Sequence, residues 1–93
     1  MRSTMKKFRV NESELGTGFQ MTFSNNVTIS IQFGNISRSD YGQTTAEVAV
    51  FRGMEWFVAD ADAQDLVRVD TGVMSYCTPE AVAWIMYKAK NIE

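Results

Sequence analysis

The sequence contains no histidine, and it has only one cysteine, Cys77, and one proline, Pro79. Without histidine the chain cannot form a Ser-His-Asp or Cys-His nucleophilic site, and it lacks the commonest general base and metal ligand. A single cysteine excludes both a thiolate zinc site and an internal disulfide, which fits a reducing compartment. We therefore expect no catalytic residue, no metal and no cofactor, and we predict that the protein is not an enzyme.

Long apolar runs are also absent. No stretch approaches the ~20 apolar residues of a membrane-spanning helix. The basic N-terminal segment MRSTMKKFRV lacks the apolar core that a signal peptide needs. These features predict a cytoplasmic protein that does not associate with membranes. A length of 93 residues with 45% apolar content predicts one domain, residues 1–93, in which residues 1–5 are frayed.

The net charge of −2 is small, but the charges are unevenly distributed. Cations crowd the first ten residues and aspartates crowd residues 60–70: Arg2, Lys6, Lys7, Arg9, Asp60, Asp62, Asp65 and Asp70. A pI near 5.0 argues against a nucleic-acid partner, which usually requires a concentrated basic surface. Each charged segment is either a solvated surface or a contact for a partner of opposite charge.

Apolar residues alternate with polar ones over residues 18–34, on both sides of the turn-forming run Ser24, Asn25 and Asn26. Because side chains alternate between the two faces of a strand, this pattern predicts a β-hairpin with one apolar face. The apolar positions are Phe19, Met21, Phe23, Val27, Ile29, Ile31 and Phe33. The opposite face is uncharged, and charge is a common guard against pairing with another chain.

Residues 45–59 predict a second hairpin with a turn near Gly53. Its strands carry apolar groups on both faces, notably Val50 beside Phe51 and Trp56 beside Phe57. Either the helix covers one face and another chain covers the other, or the sheet curls around its own core. Lys7–Val10 and Leu66–Val69 are candidates for short additional strands, whereas Asn11–Gly18 is interpreted as a connector.

Residues 79–90 predict a C-terminal helix. Thr78 is a favourable N-cap, Pro79 suits the first helical position, and Lys88 and Lys90 lie in the last turns, where cations are favoured. One apolar stripe has helical spacing: Val82, Ile85, Met86 and Ala89. The fold class is therefore α+β, an antiparallel sheet of four to five strands from two hairpins, with this helix packed on it.

Trp84 and Tyr87 are neighbours on the helix and point away from that stripe. Either the loop before the helix covers them, or they form a contact surface, because aromatic residues are enriched at interface hot spots. We select both as partner-binding residues. Arg38 and Tyr41, in the polar loop over residues 35–45, are the second selection.

Three other groups of residues were considered as chemical sites. The acidic run from Asp60 to Asp65 lacks the spacing of a calcium loop, because Asp65 stands at the glycine position. Cys77, just before a helix, is interpreted as a partly buried hydrophobe. A carboxylate-based hydrolase would require Glu47, Glu55, Asp60 or Asp62 to converge in pairs, and solvated surface charge is the alternative.

The segments GFQMTF, VTISIQFG, TAEVAVF and TPEAVAWIMYKAK resemble small proteins encoded by tailed bacteriophages and prophages, over about residues 16–91. The shared features are strand alternation and a capped helix, so the resemblance implies no catalytic residue. It implies a bacterial context. Small phage accessory proteins often bind and block a host protein, including defence-system components, or sequester a signalling nucleotide.

Together these features predict a non-enzymatic, phage-type accessory protein that binds and modulates or inhibits a bacterial host protein. A second version of this hypothesis adds that the protein forms a homo-oligomer. The alternative is an oligomeric sponge for a nucleotide-like ligand. Its pocket would form between protomers and would be lined by Arg38, Tyr41 and the aromatic residues.

Overall fold

The computed structural model describes residues 7–13, 16–33 and 45–93, which form an antiparallel sheet with one helix across one face. In chain order the elements are β1 (Lys7–Ser13), β2 (Gly16–Thr22), β3 (Thr28–Phe33), β4 (Ala46–Arg52), β5 (Glu55–Asp60), β6 (Asp65–Val69), β7 (Met74–Cys77) and α1 (Pro79–Lys90). The strands follow the order β1-β2-β3-β4-β5-β6, and β7 pairs with β4. The predicted α+β architecture, both hairpins and the C-terminal helix are confirmed.

The predicted count of four to five strands is wrong, because the described residues form seven. The supposed connector Asn11–Gly18 belongs largely to β1 and β2, where Asn11 pairs with Gly18 and Glu12 with Thr17. A ladder of backbone hydrogen bonds does not require apolar side chains, so this edge hairpin leaves no alternating signal there. The four residues of β7 are equally hard to recognise, because they pair with β4 through an irregular register.

The turn between β2 and β3 is made by the residues that the sequence indicated. Asn26 adopts a φ of 71°, and its N–H donates to the Phe23 carbonyl at 2.9 Å. The N–H of Phe23 in turn donates to the Val27 carbonyl at 2.9 Å. A three-residue loop that ends in a left-handed residue is a common hairpin turn, and asparagine tolerates that conformation.

β4 is the centre of the sheet. It pairs with β3 along one edge, and its other edge is shared by β5 near Val50–Arg52 and by β7 near Ala46–Val48. The pairing with β7 contains a bulge, next to which Tyr76 has a φ of 54°. A bulge bends the strand that carries it. The chain therefore leaves β7 and enters α1 across one face of the sheet.

The core lies between α1 and the face of the sheet that α1 covers, here called the helix face. Ile85 and Ala89 of α1 are buried against the predicted apolar positions of the strands: Val27, Ile29, Ile31, Val48 and Val50, with Phe57 and Leu66. Each fully buried aliphatic side chain contributes about 1.5–3 kcal/mol. The predicted apolar stripe of the helix is therefore its buried face.

The other face of the sheet, here called the outer face, carries a second apolar group on β4, β5 and β6. The rings of Phe51 and Trp56 pack with their centroids 5.2 Å apart. A Cβ built on Gly72 would lie 3.4 Å from Val58 Cγ1 and 3.8 Å from Val69 Cγ2, so the link from β6 to β7 contacts these valines. The apolar side chains on both faces of the second hairpin thus have partners within the chain.

Within the described part of the chain, no helix has the length and apolarity needed to cross a bilayer. The predicted fraying of residues 1–5 concerns residues outside that part.

Candidate functional site

Trp84 is held against the core rather than projecting freely. Its side chain is half-buried and packs on the buried cluster. It lines a surface depression of about 560 Å³ together with residues at the end of β5 and in the β5–β6 turn, such as Ala59 and Gln64. The sequence offered two interpretations, cover by the loop before the helix or a contact surface. The segment beside Trp84 is the β5–β6 turn.

Lys88 lies over the Trp84 ring. Its Nζ atom lies 5.7 Å from the centroid of the Trp84 ring and 3.8 Å from Asp65 Oδ1. A cation over an indole ring contributes about 0.5–1 kcal/mol at exposed sites. Lys88 therefore contacts both the indole of Trp84 and the carboxylate of Asp65.

Tyr87 is the exposed member of the pair, with 59% of its surface accessible. It borders a second depression of about 420 Å³, which also contacts Phe57, Leu66 and Ile92. Lys88 lines both depressions, which are therefore neighbours along the helix. We call Trp84, Tyr87 and Lys88, with the adjoining β5–β6 turn, the helix surface.

Three aspartates lie in and beside the β5–β6 turn of the helix surface: Asp60, Asp62 and Asp65. Asp60 Oδ1 accepts a hydrogen bond from the Asp62 N–H at 2.9 Å, and Asp65 Oδ1 accepts one from the Leu66 N–H at 2.8 Å. The backbone therefore positions two of the three carboxylates. Within the helix surface, three carboxylates (Asp60, Asp62 and Asp65) outnumber the one Lys88 cation. Across the described residues, no group of three or more acidic or cysteine side chains is arranged to hold a metal ion.

Two of the four candidate catalytic carboxylates, Glu47 and Glu55, do not converge. Glu47 lies opposite Gln32 on the outer face, whereas Glu55 lies opposite Arg52 at the far end of the second hairpin, on the helix face. Glu55 is engaged by hydrogen bonds from Arg52 and Arg68, and these bonds lower the pKa of its carboxyl. A carboxylate that stays ionised between two guanidinium groups is a poor general acid.

Cys77 is buried at the end of β7 and belongs to the core cluster. Desolvation raises the pKa of its thiol above the usual value, which opposes formation of the nucleophilic thiolate. The interpretation of Cys77 as a small hydrophobe agrees with this environment.

Cys77 also lies at the bottom of an apolar groove of about 380 Å³ between the first turns of α1 and the sheet. The groove is lined chiefly by Phe19, Phe33, Val82 and Met86, and no described residue in its wall is charged. The described part of its wall therefore offers no cation to a nucleotide phosphate. Arg38 and Tyr41, which the sponge hypothesis requires, lie outside the described residues.

One surface that sequence reasoning missed is the free edge of β1. Phe8 and Val10 are 77% and 72% exposed. The sequence placed both on one face of a short strand, but it did not show that the strand lies at the edge of the sheet and beyond the reach of the helix. The position of β1 in the sheet order is the signal that identifies this surface.

Comparisons of the chain with models of known protein families, with curated proteins and with solved structures find no match.

Proposed function

We propose that the protein is a non-catalytic binding domain that uses the helix surface to dock on a bacterial protein and modulate or inhibit it. The observation that carries the proposal is the exposed Tyr87 beside the half-buried Trp84, whose side chain packs on the core. Rigid aromatic side chains lose little conformational entropy on binding, and Tyr and Trp are enriched at interface hot spots.

The charges around these two aromatic residues specify the chemistry of the partner. The carboxylates of Asp60, Asp62 and Asp65 lie in and beside the β5–β6 turn of the helix surface and outnumber its one lysine, Lys88. Complementary potentials steer association and reject partners of like charge. The partner surface is therefore basic at its rim and has an apolar pocket that receives Tyr87. The bacterial identity of the partner is supported by the resemblance of the strand and helix segments to small phage proteins.

A tyrosine pair within the chain provides a matched test. Tyr87 and Tyr76 are 59% and 60% exposed, but only Tyr87 belongs to the helix surface. Tagged wild-type protein, Tyr87→Ala and Tyr76→Ala are used to capture proteins from a bacterial lysate, and the captured partner is then purified and titrated. We expect Tyr87→Ala to weaken its binding by about thirtyfold, as at a typical hot spot. Tyr76→Ala should change it by less than about twofold.

The acidic rim gives the same experiment an independent readout. Asp62→Lys should weaken binding, and added salt should weaken the wild-type complex because it screens surface charges. Equal binding by the two tyrosine variants would refute the proposal. So would light scattering that shows the helix surface closed by self-association, with a dimer that Tyr87→Ala dissociates.

A further inference from the structure

Within the described part of the chain, one edge of β1 has no strand paired to it. Its register with β2 is continuous from Lys7–Thr22 to Ser13–Gly16, without a bulge. Among the described strands, β2 is the only neighbour of β1. About half of its seven residues therefore direct their N–H and C=O groups away from the sheet. Such a row of unpaired groups is a template for another strand.

The side chains of β1 divide into two kinds. Phe8 and Val10 lie opposite Met21 and Phe19 on the helix face, beyond the area that α1 covers. Lys7 and Arg9 lie on the outer face, where both are exposed and border a polar depression with Gln20 and Thr22. The edge therefore offers apolar contacts on one side and cationic contacts on the other.

The opposite edge of the sheet does not share these properties. β6 has five residues, with Leu66 buried and Val67 and Val69 half-buried. Large exposed apolar side chains are thus found on β1 but not on β6. Exposure of Phe8 and Val10 to water is unfavourable in the isolated protein, and a partner that covers them would gain apolar burial.

Charge decides which kind of strand fits this edge. If two copies paired antiparallel with Phe8 opposite Val10, the same register would place Arg9 opposite Arg9. With Phe8 opposite Phe8, Lys7 would lie opposite Arg9. Like charges directly opposite each other destabilise a strand pair, whereas opposite charges stabilise it. In these two registers, which are the ones that place an apolar residue of a second copy opposite Phe8, pairing of two copies is therefore disfavoured.

We propose that β1 is a strand-addition site for an extended segment of a partner protein in which acidic residues alternate with apolar ones. The carboxylates pair with Lys7 and Arg9, and the apolar side chains cover Phe8 and Val10. Backbone hydrogen bonds provide affinity and the alternating side chains provide specificity, as in other cases of β-augmentation. This site is separate from the helix surface and extends beyond the function proposed for it.

The probe is a fluorescein-labelled, end-capped peptide of alternating glutamate and valine, titrated by anisotropy against the full chain at low salt. We expect binding that weakens as salt is added. Arg9→Glu should weaken it by about tenfold, because attractive cross-strand pairs become repulsive. The matched control is Lys90→Glu, which makes the same charge change at an exposed site on α1 and should alter binding by less than about twofold. Tyr87→Ala should leave it unchanged.

Amide hydrogen exchange locates the bound peptide. Bound peptide should slow exchange of alternate β1 amides, a result that binding to a sheet face would not produce. The proposal is overturned if the peptide does not bind at about 1 mM, if a lysine–valine peptide or a block peptide of the same composition binds equally well, or if Arg9→Glu matches Lys90→Glu. It is also overturned if light scattering shows a dimer that protects β1 in the free protein.

Discussion

At the scale of single residues, Gly18 illustrates how close contacts constrain the sheet. It lies in β2 between Asn11 of β1 and Gln32 of β3. A Cβ built there would be 2.1 Å from the Ile31 carbonyl oxygen, a backbone atom that cannot move without displacing β3. Glycine is therefore required at this position by the approach of a neighbouring strand.

Gly18→Ala should lower the free energy of unfolding by about 1–3 kcal/mol, because the added methyl group forces the two strands apart. Urea unfolding followed by circular dichroism measures the effect. Gly72→Ala is the control, since its Cβ would meet only side-chain atoms, the nearest 3.4 Å away, and should cost less than about 0.5 kcal/mol. Equal losses in the two variants would show that the close approach of β3 to Gly18 is relieved at little cost.

At the scale of secondary-structure elements, the turn between β2 and β3 anchors the end of α1. Asn25 Nδ2 donates to the Ala89 carbonyl at 3.0 Å and to the Ile92 carbonyl at 2.8 Å, while its Oδ1 accepts from the Val27 N–H at 3.0 Å. The last carbonyls of a helix have no partners within the helix. One side chain therefore closes its own turn and caps a helix that is distant in the sequence.

Asn25→Ala should reduce stability by about 1–3 kcal/mol, because it removes three part-buried hydrogen bonds, although the Ala89 carbonyl still accepts from the Ile92 N–H. The last turn of α1 should also exchange its amide hydrogens faster than in the wild type. Ser24→Ala, an exposed position in the same turn, is the control. Unfolding midpoints that fall equally in both variants would contradict a specific role for the Asn25 amide.

At the scale of the whole molecule, charged side chains join the β4–β5 turn to β6 and to the backbone of Glu93, beyond the end of α1. Arg52 bonds to Glu55 at 3.1 Å and to the Glu93 carbonyl at 3.2 Å, and Arg68 of β6 bonds to the other oxygen of Glu55. Glu55 therefore links three strands. Its carboxyl has a lowered pKa because both guanidinium groups donate hydrogen bonds to the ionised form.

This shift gives stability a defined dependence on pH. A carboxyl whose pKa is lowered by folding stabilises the native state above its unfolded pKa, near 4.5, and loses that contribution as the pH falls through the lower native value. Glu55→Gln should therefore destabilise the protein at pH 7, and the difference from wild type should disappear in acid. Urea midpoints across this range, with Glu47→Gln as the control, check the prediction. A difference independent of pH would show that charge at Glu55 is not its cause.

The sequence predicts well those elements whose side chains carry their own periodicity. The alternation around Asn25 and Asn26 predicts the first hairpin and its buried face, and the cap at Thr78 predicts the start of the helix, where the hydroxyl accepts from the Ala81 N–H. The extension of β1 and β2, and β7 itself, escape prediction. Their formation depends on backbone pairing with strands that become neighbours only in the folded chain.

In the candidate site, too, some features could be predicted from local sequence spacing and others depend on tertiary packing. Helical spacing alone identifies Trp84 and Tyr87 as lying off the apolar stripe. It cannot show that the β5–β6 turn reaches Trp84 while Tyr87 remains exposed, because that depends on packing between segments some twenty residues apart. In the same way, the sequence pattern of the second hairpin does not show that Glu47 and Glu55 lie on opposite faces and at opposite ends of it.

The sequence by itself determined the α+β class, the buried faces of the hairpin and helix, and the absence of histidine chemistry, because composition and side-chain periodicity are local properties. Only the tertiary structure decided which apolar residues remain exposed. Phe8 and Val10 alternate like the buried residues of β3, yet β1 lies at the edge of the sheet, beyond the helix. Burial is set by what lies across from a residue, and the twelve-residue helix packs against β3, β4, β6 and β7, away from β1.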